Sequence, residues 1–529
     1  MAEVAVDERR LLKTMRWYDG LVIGLANPGF LLVGLAFSVL ALGGLWASIL
    51  WVISAVIGAV QAYIYAEPAA MFPDKPGGLS VYAREGWKSR FSLAGPIAVF
   101  GYWFAWSSVL AIYGSFIGSL LIKEFAASDG YFATKSWDAP ILLNPITWPM
   151  LIGLGCIALC YVFNVRGMRP AVWFSYVVGA LMLLPVAFIA IGAFLTGDFS
   201  THEIATDPGI LGATAQGYGD SGGGFDKFAL MMVWLYIIGW STYGPEAAAT
   251  FAPEYKDTKN DTRKALAVTG MFNVLLAVLL PIAVIGTIGY GTFATEDAAG
   301  TGIAGDASGV VYLVDVLHAI AGNGFGAFLT VCLCAGLLLS MNTATMDGSR
   351  ALYALSGEGM TVKQLGVLNR HHVPARAMTV DLLLNVFLLM YFGNIFFILA
   401  AGNLGYILSH VLALTGVLWL RKDRPNWPRP IRLHRAWMWA AGFLALANAA
   451  FIVFGLWKIK YTGYLWDSGF TDALAKLPEM LGVAFGSLGV GVLGYVIAQR
   501  QHGKPVRLRE PVSDEQPSQE AIDAAAATV

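Results

Sequence analysis

Trp240-Ser241-Thr242-Tyr243-Gly244-Pro245-Glu246 lies inside an otherwise apolar run, and so does Gly24-Leu25-Ala26-Asn27-Pro28-Gly29-Phe30. Proline removes a backbone donor and clashes with the preceding turn, while glycine admits non-helical dihedrals, so each string predicts an interrupted helix at membrane depth. Pro28 and Pro245 are 217 residues apart. That spacing is close to half the length of the first ten apolar runs, which puts the breaks at the first helix of each of two five-helix halves. Paired breaks at corresponding positions point to an inverted-repeat transporter with its site at the unwound segments. Unwound backbone is tolerated at that depth only where protein or a watery cavity meets it. Half-helix N-termini also offer free amides to an anion.

The composition agrees with membrane residence. Of the 529 residues, 57% are hydrophobic and only 13% charged, and the mean hydropathy is +0.63. Soluble chains carry about twice that share of charge. With 34 basic and 35 acidic residues the net charge is -1, which argues against nucleic-acid binding. Apolar runs of spanning length cover residues 18–42, 45–66, 93–121, 147–164, 170–196, 227–251, 265–290, 324–345, 377–392, 395–420, 436–457 and 478–499. An even number of runs places both termini on one side. With the N-terminus inside, 28 basic residues fall in inside segments and six (Lys123, Lys135, Lys227, Lys458, Lys460 and Lys476) in outside ones. This strong asymmetry supports cytoplasmic termini and an inner or plasma membrane location.

The expected organisation is a cytoplasmic N-terminus (1–17), a first five-helix repeat (18–196), an outside Gly-rich loop (197–226) and a second repeat (227–420). A basic cytoplasmic loop (421–435), two appended helices (436–499) and a disordered cytoplasmic tail (500–529) follow. The basic loop, with Pro425, Pro428 and Pro430, is expected at the lipid headgroups. No cleavable signal peptide is expected, because the chain is polar through Arg16 and its first apolar run has the length of a span. Cys156, Cys160, Cys332 and Cys334 sit in apolar runs without metal-binding spacing and read as reduced packing residues.

Four stretches carry a family resemblance. Tyr65-Ala66-Glu67-Pro68 is followed by Phe72-Pro73 and Gly77-Gly78 with Tyr82. Trp240-Ser241, Gly244 and Glu246 are followed by Pro253-Glu254 and Lys256; Ser349-Arg350-Ala351-Leu352-Tyr353-Ala354-Leu355 precedes Gly357 and Gly359; Pro374 precedes the ninth run. In this order the motifs resemble those of the amino acid, polyamine and organocation permeases. The resemblance implies a leucine-transporter-like fold of two inverted five-helix repeats plus two extra helices. It also implies an amino acid or related amine as substrate, moved by alternating access.

By the same resemblance Trp240 covers the substrate from the unwound sixth helix. Ser241, Tyr243, Trp106 and Asn342 are further candidates to line the site. The first break departs from the family's small-residue triplet: Pro28 has no amide to donate, which leaves Asn27, Gly29 and Phe30 as candidate carboxylate donors. Candidate coupling residues are Glu246 and His410, as ionisable residue types, and Ser340 and Thr343, which with first-span carbonyls are candidates for a sodium site. Each also has a structural reading: Glu67 and Glu246 as partners of inside arginines, the hydroxyls as bonds to the preceding turn. No lysine stands between Val177 and Pro185 to take the place of a sodium ion, as one does in some family members. With no ionisable residue found squarely at the breaks, a neutral, zwitterionic amino acid is expected over a polyamine. A transporter-like sensor is the remote alternative.

Two strings in the 197–226 loop imitate hydrolase motifs. Gly219-Asp220-Ser221-Gly222-Gly223 resembles a serine nucleophile string and Gly217-Tyr218-Gly219-Asp220 an intramembrane aspartyl one. Neither has its catalytic partner in a suitable place. Gly503-Lys504 lacks the rest of a Walker motif. The chain is therefore read as no enzyme, with no cofactor and no metal, driven by a proton or sodium gradient or by exchange.

Overall fold

The computed structural model describes residues 13–26, 34–75, 77–140, 142, 145–195, 197, 199–205, 224–294, 310–357, 359–391, 395–459, 470–503 and 505–514. Among the described residues helices make up most of each apolar run. In chain order these are α1 (Trp17–Gly24), α2 (Leu35–Leu42), α3 (Gly44–Ile64), α4 (Leu79–Trp87), α5 (Ala94–Ser107), α6 (Val109–Phe125), α7 (Trp148–Val165), α8 (Met168–Ala187) and α9 (Gly224–Thr242). The chain continues through α10 (Ala247–Thr250), α11 (Thr258–Ala294), α12 (Tyr312–Ala321), α13 (Asn323–Gly357), α14 (Ala375–Tyr391), α15 (Ile395–Asp423), α16 (Arg435–Trp457) and α17 (Phe470–Gln501). Among the described residues nine helical stretches are long and apolar enough to cross a membrane. The protein is a polytopic all-α membrane protein, because in lipid only closed secondary structure satisfies its own backbone. A two-stranded hairpin, Ser136–Trp137 against Ile146–Thr147, precedes α7.

Burial is graded from the centre outward. From Leu329 to Ser356, α13 is buried at nearly every position, whereas Leu181, Leu183 and Leu184 of α8 and Trp439, Phe443 and Leu446 of α16 are exposed on the outside. Large apolar side chains on the outer surface suit lipid contact, and small residues let the inner helices approach. A Cβ on Gly101 of α5 would lie 2.5 Å from the Gly405 carbonyl oxygen of α15. That crossing therefore tolerates no side chain at this point.

Polar contacts tie the segments between helices together at both ends of the bundle. At one end Met15 bridges to Tyr255, Arg350 binds Glu254 and Asn369 Nδ2 donates to the Val165 carbonyl. Arg421 binds Glu67, and Arg424 binds Glu85. At the other end Lys123 and Asp315 approach at 3.9 Å, as do Lys458 and Asp226. The tail departs from expectation within 505–514, which lies against the first of these ends. Ser92 N donates to the Leu508 carbonyl at 2.9 Å, Glu510 N to that of Lys88 at 2.7 Å, and Asn426 N to Asp514 Oδ1 at 3.0 Å. Peptide-bond pairing of this kind is available to a proline-rich, charged strand that no apolar pattern would reveal. All four cysteines are free thiols.

Candidate functional site

The sixth run is interrupted where its sequence predicts. α9 ends at Thr242, Gly244 adopts φ 150°, and α10 begins at Ala247. The interruption is held from several sides. Asn273 Nδ2 of α11 donates to the Thr242 carbonyl at 2.8 Å, and the Ser54 and Thr242 hydroxyls lie 2.6 Å apart. A Cβ on Gly58 of α3 would meet the Thr242 carbonyl oxygen at 2.8 Å, so a glycine is needed beneath the break.

The Glu246 carboxylate closes the turn: its Oε2 accepts from the Gly244 amide at 2.7 Å, and its Oε1 accepts from the Tyr406 hydroxyl at 2.5 Å. His410 Nε2 stands 3.7 Å from the same Oε1, and His410 Nδ1 is 2.9 Å from the Tyr65 hydroxyl. Glu246 and His410, singled out separately in the sequence, thus form one buried cluster. This corrects the expectation that no ionisable group stands at a break. Glu246 does, because a side chain two residues beyond Gly244 can fold back onto its amide.

Beside this cluster Trp106, Val109, Trp240, Tyr243 and Tyr406, with Ala105, line a small cavity with room for about one water molecule. Its walls are interlocked rings. Trp240 meets Tyr113 edge to face at 6.1 Å, Trp106 meets Tyr406 at 6.5 Å, and Tyr243 lies 6.2 Å from Tyr406. The Tyr243 hydroxyl donates to Asn448 Oδ1 of α16 at 2.8 Å. An aromatic wall of this type offers π-faces to a cation and apolar area to a side chain.

Of the other candidates, Ser241 is buried on α9 next to Trp240 but does not line the cavity. Ser340 Oγ donates to the Ala26 carbonyl at 2.5 Å and Thr343 Oγ1 to that of Ile23 at 3.2 Å, so both reach the first-run carbonyls with which they were grouped. Asn342 faces away from the cavity. Its Nδ2 donates to the Ala171 carbonyl and Ser175 Oγ of α8, and its Oδ1 accepts from Asn164 of α7. A polar residue on a buried helix answers to whichever neighbour can bond it. Asn27, Gly29 and Phe30 lie outside the described residues, as do the hydrolase-like strings of the 197–226 loop.

Sequence reasoning missed Tyr406, Val109 and Ala105, and two buried acids, Asp347 of α13 and Asp381 of α14, both fully buried. The signal for Tyr406 was its place one helical turn before His410. For the acids it was charge within apolar helix.

Residues 20–466 match the model of a family described as amino acid permease. A curated relative, solute carrier family 7 member 12 of Mus musculus, is 24% identical over 309 residues. The matched stretch is 56% of this chain and 59% of that relative, so the chain spans under two thirds of the relative's length.

Proposed function

Because the chain belongs to the amino acid permease family, we propose that it is a secondary active transporter that moves a neutral, zwitterionic amino acid by alternating access. The substrate's seat is at the interrupted sixth helix, between Trp240, Tyr243, Trp106 and Tyr406, with its carboxylate toward the first-run segment at Asn27, Gly29 and Phe30. The observation that carries this reading is the junction of a Gly-Pro interruption, a buried carboxylate at Glu246 and an aromatic-walled cavity. Room for about one water is too little for an amino acid, so the cavity belongs to a closed state and must widen when the bundle opens. In the proposed orientation the end that carries Arg84, Arg350, Arg421 and Arg424 is cytoplasmic, with both termini. Transport draws on an ion gradient or on exchange, a reading supported by the lack of a Walker motif in the sequence.

A second reading, an amine or polyamine exchanger, gains from Glu246, whose buried carboxylate lies within reach of an aromatic cage. The neutral reading is favoured because Glu246 is already engaged by Gly244, Tyr406 and the His410 ring. Thermal unfolding of purified protein with a panel of neutral amino acids and polyamines separates the two. A ligand at about 100 times its Kd stabilises the folded state by about 2.7 kcal/mol. A raised midpoint with neutral amino acids supports the first reading, and one raised only by polyamines supports the second.

A further inference from the structure

Asp347 and Asp381 are fully buried in the body of the bundle and come from neighbouring helices, α13 and α14. A Cβ built on Gly348, the residue after Asp347, would lie 3.8 Å from Asp381 Oδ2. Each carboxyl has one oxygen satisfied. The Tyr102 hydroxyl donates to Asp347 Oδ2 at 2.5 Å, and Trp103 Nε1 donates to Asp381 Oδ1. Asp347 is also approached by the Thr250 hydroxyl and Asp381 by the Ser107 hydroxyl, both neutral donors.

Two carboxylates in a low-dielectric interior repel one another, and each is costly to ionise without a paired cation. The groups facing them supply none. From α5 come Tyr102, Trp103 and Ser107; from α10 and the residues before it, Thr250 and Glu246; from α15, Tyr406. Arg350 lies one turn beyond Asp347, but its guanidinium is held by both oxygens of Glu254 and by the Met346 carbonyl. A buried carboxyl whose partners are neutral donors is chemically suited to carry a proton there.

We propose that Asp347 and Asp381 form a membrane-embedded proton-binding site that couples a proton gradient to transport. The proposal rests on the permease reading above and assigns its driving ion. The step is a simple protonation: a proton from the acidic compartment adds to one carboxylate oxygen, no other bond changes, and the proton leaves to the opposite side after reorientation. The link to substrate runs through aromatic contacts. Tyr102, bonded to Asp347, packs 5.8 Å from Tyr406, which lines the cavity and bonds Glu246. Widening the cavity moves Tyr406, which shifts Tyr102 against Asp347.

The test uses the full-length protein in proteoliposomes with a mixture of radiolabelled neutral amino acids as probe. It compares uptake driven by an acid-outside gradient with counterflow into preloaded vesicles at equal pH. Asp347→Asn and Asp381→Asn are each expected to lower the ratio of gradient-driven uptake to counterflow at least tenfold, while Asp381→Glu, which restores a titratable group, recovers it. As a readout independent of variants, substrate added to the weakly buffered parent protein in detergent should change the pH of the medium, reported by an indicator dye. A parent that accumulates substrate on a sodium gradient alone, or that ignores a pH gradient, overturns the proposal and leaves the permease reading intact. Asparagine variants that respond to the gradient as the parent does also overturn it. A parent with neither counterflow nor uptake removes the permease reading itself.

Discussion

Tyr406 donates its hydroxyl to Glu246 across 2.5 Å, tying a cavity-lining ring on α15 to the residue that closes the sixth-helix interruption. The two residues are 160 positions apart in sequence. Because one wall of the cavity and the helix break share this bond, a substrate that moves either moves both. Tyr406→Phe leaves Glu246 short of a donor in a buried site, which costs about 1–3 kcal/mol. Transport is expected to fall about 5- to 100-fold, and Glu246→Gln to fall further because it also weakens the bond to the Gly244 amide. Initial uptake rates at several substrate concentrations check this.

Gly58 is expected to accept no side chain. In Gly58→Val even the first added carbon meets the Thr242 carbonyl oxygen at 2.8 Å and the Tyr243 ring at 3.2 Å, at the point where the sixth helix stops. Overpacking of this kind costs about 1–3 kcal/mol. The variant should lower the thermal midpoint and reduce transport more than Gly155→Val does, since Gly155 has open space around its Cβ position.

The Arg350–Glu254 pair is buried on both sides, with side-chain exposures of 1% and 3%. Removing one partner of such a pair leaves an unpaired charge and costs about 3–5 kcal/mol. Glu254→Gln should therefore yield little folded protein in detergent by size-exclusion chromatography. The double change Glu254→Gln with Arg350→Met should recover part of it, because it removes both charges.

Acid is expected to loosen the tail-bearing end through Glu85. Burial raises this carboxyl's pKa, but Lys75, Lys88, Arg84 and Arg424 around it hold it well below the usual carboxylate range. A depressed carboxyl contributes stability that is present above its unfolded value, near 4.5, and that is lost as pH falls toward the folded value. The thermal midpoint of the parent should thus drop as pH falls below about 4.5. Glu85→Gln should start lower at neutral pH and show a shallower drop over the same range.

Helix positions were legible in the sequence because lipid demands long apolar runs, and the sixth-helix break because Gly-Pro leaves the backbone little choice. Helix ends were less legible. α13 continues to Gly357, well past the apolar run that ends at 345, because Asp347 and Arg350 find partners on α5 and in Glu254. Around the cavity and the break, the positions of Trp240, Tyr243, Trp106 and Glu246 follow from motif or place in the chain, whereas that of Tyr406 depends on how α15 docks on the break. Asn342 shows the converse: its place in sequence suggested the cavity, and packing against α7 and α8 turned it to Asn164 and Ser175. Partners 150 or more residues apart are set by helix packing, which a linear pattern does not encode.

The central claim, that a neutral amino acid passes through the cavity walled by Trp240, is tested most directly by uptake of radiolabelled neutral amino acids into proteoliposomes. Parent protein and Trp240→Ala should be compared at equal folded amount. The account predicts accumulation by the parent and at least a tenfold loss in Trp240→Ala, with Trp240→Phe between them. Uptake by Trp240→Ala at the parental rate, or a parent that moves polyamines and no amino acid, would contradict it.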